Sequence, residues 1–176
     1  MTSVLIVEDS PVMQKLLTEI LLSDSSIQRV ETAIDPYAAW RLLRSFKPDV
    51  ITLDVELPRM NGLTFLEKLM KAKPLPVVMV SATTGQNTRE TIKALELGAV
   101  DFIEKPRVDT TTGNVPTASE LLCKVKVAAK TRLQKRPPAT PPNRTETNPD
   151  TRSIDSNRVV AIGASTGGTE ALAHVL

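Results

Sequence analysis

Short runs of Val, Ile and Leu alternate with amphipathic stretches through residues 1–130, and this alternation restricts the fold more than any other feature. The apolar runs have the length and composition of buried strands, whereas the stretches between them repeat their apolar residues at helical spacing. In the first such stretch the residues on one helical face are Met13, Leu16, Leu17, Ile20 and Leu21. Alternating strands and helices predict a doubly wound α/β domain with a parallel sheet covered on both faces. The five predicted strands are Val4–Val7, Arg29–Ala33, Val50–Leu53, Val77–Val80 and Phe102–Ile103.

Capping residues mark the ends of several predicted helices. Ser10-Pro11 and Asp35-Pro36 each combine a side chain that caps a helix N-terminus with proline at the first helical position. Gly98 is typical of a residue that ends a helix, here the fourth. The fifth helix is expected to start near Ala118, which leaves 107–117 as a long loop.

Composition changes after the fifth helix and predicts three parts of the chain. Residues 1–130 can form one ordinary globular domain. Residues 131–157 are rich in Pro, Thr and Asn with almost no large apolar side chains, which predicts a linker. Residues 158–176 contain a strand-like run, a glycine-rich turn and a helical pattern, which is too little to enclose a core. We therefore expect them to be the truncated beginning of a second α/β domain.

The composition argues against a membrane protein and against redox chemistry. No stretch approaches the roughly 18 apolar residues of a membrane helix, and the N-terminus has no signal-peptide pattern, so a cytoplasmic protein is expected. The single cysteine, Cys123, lies in an apolar stretch and is expected to be a buried thiol.

Basic residues are concentrated in the second part of the chain. Residues 1–106 hold 12 Lys and Arg against 14 Asp and Glu, whereas residues 107–176 hold 10 against 6. The basic run between Lys124 and Arg136 could indicate nucleic acid binding, but it lacks interleaved aromatic residues. A solvated helix end is the favoured interpretation, and no nucleic acid partner is expected.

Polar side chains follow four of the five predicted strands at the point where each strand ends. Glu8 and Asp9 follow the first strand, Asp54 the third, Ser81 the fourth and Lys105 the fifth. Sites in open parallel sheets lie beyond the carboxyl ends of the strands. If the strand order is the common 2-1-3-4-5, three carboxylates converge and repel one another, which favours a bound cation. Mg²⁺ is expected rather than Ca²⁺, because it needs few carboxylates and retains several waters.

The same residues suit phosphoryl transfer. Asp54 would be the nucleophile, Lys105 and the metal would neutralise phosphate oxygens, and the Ser81 hydroxyl would donate a hydrogen bond to one of them. Each residue alone could be no more than a helix cap or a turn residue. Their joint occurrence at the strand ends, in this order, favours an acyl-phosphate site at Asp54.

These motifs resemble those of the response regulator receiver family. The matching segments are Leu5-Ile6-Val7-Glu8-Asp9-Ser10, Asp54 with Leu57-Pro58-Arg59-Met60-Asn61-Gly62, Val80-Ser81-Ala82 and Lys105-Pro106. The resemblance covers residues 1 to about 130 and implies a flavodoxin-like fold in which a histidine kinase phosphorylates Asp54. It also implies a metal held by Asp9, Asp54 and the backbone of Glu56, with Glu8 nearby, and a cis peptide before Pro106. Phe102 matches the switch aromatic of the family, although it could instead be a core residue of the last strand.

A second motif, Gly163-Ala164-Ser165-Thr166-Gly167, has the pattern G-x-S-x-G between a predicted strand and a predicted helix. Such a turn can present a serine nucleophile beside backbone N–H groups that stabilise an oxyanion. Taken alone, it could equally be a phosphate-binding loop. The only histidine, His174, lies roughly 13 Å beyond Ser165 along the same predicted helix, so we do not expect it to be the base.

The order of receiver-like region, linker and Val160-Ala161-Ile162-Gly163-Ala164-Ser165-Thr166-Gly167-Gly168 resembles the chemotaxis response regulators that are protein-glutamate methylesterases and protein-glutamine glutaminases. The resemblance implies demethylation and deamidation of chemoreceptors, Ser165 as nucleophile and no cofactor for the esterase. In that family the histidine and aspartate of the triad come later than residue 176. We therefore expect a catalytically incomplete fragment without esterase activity.

Two other functions fit parts of the sequence. A non-enzymatic phospho-switch would act by protein–protein binding. A receiver joined to a DNA-binding module is disfavoured, because no helix-turn-helix pattern follows the linker. The resemblance to the chemotaxis methylesterases implies two partners, a chemotaxis histidine kinase and methyl-accepting chemoreceptors. No insertion into the membrane is expected.

Overall fold

The centre of the fold is a sheet of five parallel strands, seen in a computed structural model that describes residues 1–82, 89–106 and 117–131. The strands are β1 (Thr2–Val7), β2 (Ile27–Ala33), β3 (Val50–Asp54), β4 (Val77–Ser81) and β5 (Asp101–Glu104). Each contains the apolar run from which it was predicted. Strands β3 and β4 are buried along their whole length, which explains why they read as continuous apolar runs rather than as alternating patterns.

Five helices connect and follow the strands. They are α1 (Pro11–Leu22), α2 (Pro36–Leu42), α3 (Gly62–Ala72), α4 (Arg89–Glu96) and α5 (Ala118–Lys130). The two predicted N-caps are confirmed: Ser10 Oγ accepts from the Met13 N–H at 3.4 Å, and Asp35 Oδ1 accepts from the Ala38 N–H at 2.7 Å. Such a cap contributes about 1 kcal/mol. Gly98 follows α4 with a φ of +103°, the left-handed conformation expected where a helix ends at glycine.

The strand order is β2-β1-β3-β4-β5, as predicted. All neighbouring pairs are parallel; Val7 of β1 pairs with Leu53 of β3, and Asp54 of β3 pairs with Val80 of β4. The residues that follow β1 and β3 therefore leave the sheet side by side at its carboxyl edge.

Two hydrophobic layers cover opposite faces of the sheet, because alternate residues of each strand point to opposite sides. On one face Leu5 and Val7 pack with the α3 residues Phe65 and Leu66. On the other face the layer includes Val4, Ile6, Leu17, Leu21, Leu121 and Val125, which come from β1, α1 and α5. The sheet is thus doubly wound, as predicted.

The expected burial of Cys123 is wrong, because its thiol side chain is exposed. Leu121, Val125 and Ala128 are the buried residues of α5. Cys123 lies two positions after Leu121, about 200° around the helix, so it faces away from the sheet. The apolar residues of 121–129, which Lys124 and Lys126 interrupt, do not all share one helical face.

The expected cis peptide before Pro106 is also wrong. No cis peptide occurs among the described residues, and the Lys105–Pro106 bond is trans. A trans bond is the lower-energy isomer for an Xaa–Pro pair by about 0.5–1 kcal/mol. In this arrangement the Lys105 side chain reaches both Glu8 and Asp54.

Several predictions concern residues outside the described ranges. They are the 107–117 loop except for its last residue, nearly all of the 131–157 linker, and the 158–176 segment with Ser165 and His174. Within the described part of the chain, no helix has both the length and the apolar character needed to cross a membrane.

Candidate functional site

Three carboxylates meet at the carboxyl edge of the sheet. Glu8 and Asp9 directly follow β1, and Asp54 is the last residue of β3. One carboxylate oxygen from each lies within 4.8 Å of the other two. Glu8 and Asp54 are buried, with 1% and 2% of their surfaces exposed, whereas Asp9 is open to solvent. The neighbouring positions of β1 and β3 produce this convergence.

Lys105, which follows β5, lies between two of these carboxylates. Its Nζ is 2.8 Å from Asp54 Oδ2, and it is 3.1 Å from Glu8 Oε1 and 2.9 Å from Glu8 Oε2. The backbone N–H of Lys105 donates to the Ser81 carbonyl at 2.7 Å, which fixes the ends of β4 and β5 beside each other. The structure therefore brings Glu8, Asp9, Asp54 and Lys105 into one pocket.

Ser81 and Phe102 lie on the two strands that border this pocket. Ser81 ends β4 and is buried, with 3% of its surface exposed. Phe102 is partly buried and packs against the layer that contains Val7 and Phe65. The position of Phe102 is thus compatible with both interpretations of it, a switch residue or a core aromatic.

Backbone and side-chain hydrogen bonds hold the two acidic segments. The Glu56 N–H donates to Asp54 Oδ1 at 3.1 Å, so both Asp54 oxygens have partners. The Ser10 N–H donates to Glu8 Oε1 at 3.2 Å, and Gln14 Nε2 donates to the Glu8 carbonyl at 2.6 Å. Gln14 therefore ties α1 to the turn that presents Glu8 and Asp9, a role that sequence reasoning missed. A polar residue one turn into the helix gave the only signal for it.

Gly62, the first residue of α3, and Arg59, in the segment before α3, both occupy positions with unusual backbone requirements. A Cβ on Gly62 would lie 1.9 Å from the Asp54 carbonyl oxygen, so only glycine allows α3 to begin this close to the end of β3. Arg59 has a φ of +69°, a left-handed conformation that costs a non-glycine residue about 1 kcal/mol. Sequence reasoning missed both roles, although the glycine at the start of α3 was a usable signal.

Burial controls the ionisation of the pocket. It raises the pKa of Asp54 above its ordinary value of 3.8, and the hydrogen bond from Lys105 opposes this increase without cancelling it. Burial, with the Asp54 charge as a further contribution, likewise raises the pKa of Glu8 above 4.5. Burial alone would lower the pKa of Lys105, but hydrogen bonds to Asp54 and Glu8 outweigh it and raise the pKa above 10.5.

The donor set of the pocket fits a hard divalent cation. Three carboxylates against one ammonium group leave an excess of negative charge. Glu8 Oε2 is buried and accepts no hydrogen bond from the described residues, although it lies 2.9 Å from Lys105 Nζ. Carboxylate oxygens with room for water are the ligands that such cations prefer, and the exposed Asp9 gives access from solvent.

Comparison with protein families and curated proteins gives consistent matches. Residues 4–112 match the response regulator receiver domain family. The chain is 48% identical to the protein-glutamate methylesterase/protein-glutamine glutaminase of Shigella boydii serotype 4 (strain Sb227), over 98% of the chain and 54% of that protein. It is 47% identical to the protein of the same name from Salmonella typhimurium, over 98% of the chain and 49% of that protein. The chain thus spans about half the length of the curated relatives that it matches.

Solved structures agree with these matches. The response regulator domain of Thermotoga maritima CheB is 39% identical, with a TM-score of 0.67, over 75% of this chain and 98% of that one. The receiver domain of NtrX from Brucella abortus is 31% identical, with a TM-score of 0.61, over 74% of this chain and all of that one.

Proposed function

Because the chain belongs to the response regulator receiver domain family, we propose that Asp54 accepts a phosphoryl group from a histidine kinase. The observation that carries this proposal is the position of Asp54 within one pocket with Glu8, Asp9 and Lys105. We further propose that this phosphorylation regulates a chemotaxis methylesterase.

The nucleophile of the proposed reaction is a carboxylate oxygen of Asp54. It attacks the phosphorus of a phosphohistidine donor, forming a P–O bond, while the P–N bond breaks and its electron pair goes to the imidazole nitrogen. Burial disfavours the charged form of the Asp54 carboxyl and raises its pKa. Conversion to an acyl phosphate would move charge from this buried carboxylate onto phosphoryl oxygens, which Lys105 could bind.

Lys105 and Ser81 are the proposed phosphoryl-binding residues. Lys105 carries a full charge at neutral pH, because its pKa is raised, and its Nζ is 2.8 Å from Asp54 Oδ2. It can follow an incoming phosphoryl oxygen without leaving the pocket. The Ser81 hydroxyl at the end of β4 would donate to another oxygen, and Phe102 on β5 is the proposed switch residue.

The proposed cation is Mg²⁺. Asp9, Asp54 and the backbone oxygen of Glu56 would hold it, with Glu8 beside them. When bound, Mg²⁺ neutralises negative charge on the phosphoryl oxygens and the carboxylates. The donor chemistry supports this choice, because each side chain offers a carboxylate oxygen and Glu8 Oε2 accepts no hydrogen bond from the described residues.

The methylesterase part of the proposal rests on the names of the relatives. We propose residues 1–130 as the receiver, 131–157 as the linker and 158–176 as the beginning of the catalytic domain, with Ser165 as nucleophile. The substrates would be glutamate methyl esters and glutamines of chemoreceptors, and the site of action would be the cytoplasm. Because His174 is nine residues from Ser165 on one predicted helix, we expect residues 1–176 alone to release no methanol from methylated receptors.

Intact-mass measurement after incubation with a small phosphodonor and Mg²⁺ tests the acceptor assignment. We expect one phosphoryl adduct in the wild type, none in Asp54→Asn, and an unchanged adduct in Asp49→Asn. Asp49 is a matched control, because it accepts hydrogen bonds from Ser3 at the opposite edge of the sheet. A phosphoryl adduct that persists in Asp54→Asn would rule out Asp54 as the acceptor.

A further inference from the structure

The segment that joins β3 to α3, residues 55–61, is held at its base and at its tip; we refer to it as the acceptor loop. At the base, the Gly62 N–H donates to the Val55 carbonyl at 2.8 Å and the Glu56 N–H donates to Asp54 Oδ1 at 3.1 Å. At the tip, Arg59 makes an ion pair with Asp35. Neither Arg59 nor Asp35 takes part in the proposed transfer of the phosphoryl group to Asp54.

Arg59 occupies a strained turn. The Met60 N–H donates to the Pro58 carbonyl at 2.8 Å, closing a three-residue turn centred on Arg59. With a φ of +69°, this is the rarer and more strained form of such a turn. A non-glycine residue keeps such a conformation only where other contacts impose it. The contact available at this tip is the ion pair, in which Arg59 Nη1 lies 3.1 Å from Asp35 Oδ2.

Asp35 is a rigid anchor for that contact. Its side chain is only 5% exposed, and its other oxygen, Oδ1, caps α2 by accepting from the Ala38 N–H at 2.7 Å. One carboxylate thus fixes the start of α2 and the tip of the acceptor loop together. The Arg59 side chain is 67% exposed, and the ion pair with Asp35 is the contact that holds its guanidinium against the described part of the chain.

We propose that the ion pair of Arg59 with Asp35 clamps the acceptor loop in the conformation that binds Mg²⁺, which makes Arg59 a positioning residue for phosphorylation. This inference rests on the proposed function, in which the loop supplies the backbone oxygen of Glu56 to the metal. Without the clamp, the strained turn relaxes and the loop spends part of its time in conformations that displace this oxygen. The apparent Kd for Mg²⁺ then rises in inverse proportion to the competent fraction.

The test is the apparent Kd for Mg²⁺, obtained from the dependence of Tm on Mg²⁺ concentration in the intact chain. We expect Arg59→Ala to raise this Kd about tenfold. Asp35→Asn keeps an oxygen that can cap α2 but loses the charge, so we expect a similar increase. The double variant should be no weaker than either single variant, because both remove the same contact. Arg59→Lys should restore part of the affinity.

Two further variants separate positioning from general stability. Arg59→Gly removes the ion pair but also the strain of the positive φ, so we expect a well-folded chain whose Kd for Mg²⁺ rises less than in Arg59→Ala. Lys71→Ala removes an exposed ion pair with Glu67 on α3 and should leave the Kd unchanged.

If Arg59→Ala and Asp35→Asn lower Tm but leave the Kd for Mg²⁺ unchanged, the clamp is overturned. The ion pair would then stabilise the fold without positioning the acceptor loop. Additive losses in the double variant, or a wild-type chain that does not bind Mg²⁺, would overturn the clamp as well. A wild type that binds Mg²⁺ but forms no phosphoryl adduct at Asp54 would contradict the proposed function instead. In that case the Kd values of the variants for Mg²⁺ would still support the clamp.

Discussion

Two lysine–carboxylate groups in this protein have similar distances, but the net shifts in the pKa of their carboxyls are opposite in sign. In the acceptor pocket Lys105 Nζ lies 2.8 Å from Asp54 and 2.9 Å from Glu8, yet the pKa of each carboxyl is raised. Near the opposite edge of the sheet Lys126 Nζ lies 2.6 Å from Asp24, and the pKa of Asp24 is lowered, first by the hydrogen bond from Lys126 and then by those from Ser26.

Burial, rather than the lysine contact, decides this difference. Glu8 and Asp54 are almost fully buried, whereas 22% of the Asp24 side chain and 40% of the Lys126 side chain are exposed. Water partly solvates the charges of the Lys126–Asp24 pair, so its attraction is a small net gain. In the pocket the loss of water outweighs the attraction, and the fold holds charges that would be more stable elsewhere. A phosphoryl group or a cation can relieve that cost.

Removal of the lysine from the pocket should have the largest effect. Lys105→Met leaves Glu8 and Asp54 buried without a cation, and we expect it to lower the free energy of unfolding by about 3 kcal/mol at neutral pH without Mg²⁺. Urea denaturation measures this change.

Lys126→Met is the matched control, because it removes a lysine ammonium group from the partly exposed Lys126–Asp24 pair. We expect no clear change in the urea midpoint for this variant. Equal losses in Lys105→Met and Lys126→Met would contradict the contrast between the two groups.

Replacement of Asp54 by a neutral residue should change the free energy of unfolding by less than Lys105→Met does, and in the opposite direction. Asp54→Asn removes one of the buried charges and leaves Lys105 with Glu8, so we expect the free energy of unfolding to rise by about 1–2 kcal/mol in metal-free buffer. Asp24→Asn should instead lower the stability slightly. A destabilised Asp54→Asn chain would mean that Lys105 more than compensates the burial of Asp54.

Removal of the exposed Asp9 carboxylate should change stability by a smaller amount, and only when Mg²⁺ is present. Mg²⁺ at about ten times its Kd should stabilise the wild type by about 1.4 kcal/mol, a few degrees in Tm. Asp9→Ala should lose most of this increase, whereas Asp49→Ala should keep it. An unchanged Mg²⁺-dependent shift in Asp9→Ala would exclude Asp9 as a ligand.

The strand-end residues were predictable because topology forces them together. Once β1 and β3 are neighbours, Glu8, Asp9 and Asp54 must leave the sheet at the same edge. The apolar runs predicted the strands, and the order 2-1-3-4-5 common in such sheets supplied the neighbours. The N-caps Ser10 and Asp35 were predictable for a local reason, since each needs only its own helix.

Two of the features that sequence reasoning missed depend on contacts distant in the chain. Arginine has no preference for a positive φ, so the turn at Arg59 arises from its partner Asp35, 24 residues earlier. The exposure of Cys123 depends on the rotation of α5 against the sheet, which Leu121 and Val125 set. The trans bond before Pro106 likewise differs from what the family resemblance implied.

The pH dependence of the free energy of unfolding tests most directly whether burial outweighs Lys105 in the acceptor pocket. A raised folded-state pKa means that the folded chain binds more protons than the unfolded chain above pH 3.8 for Asp54, so this group makes stability fall as pH rises. We therefore expect the stability of Asp54→Asn relative to wild type, in metal-free buffer, to increase between about pH 4 and pH 7. For Asp24, whose pKa is lowered, the free energy of unfolding of the wild type should instead increase relative to that of Asp24→Asn as pH rises through 3.8. A relative stability of Asp54→Asn that decreases with pH would show that the charged Asp54 stabilises the fold, and would contradict this interpretation of the pocket.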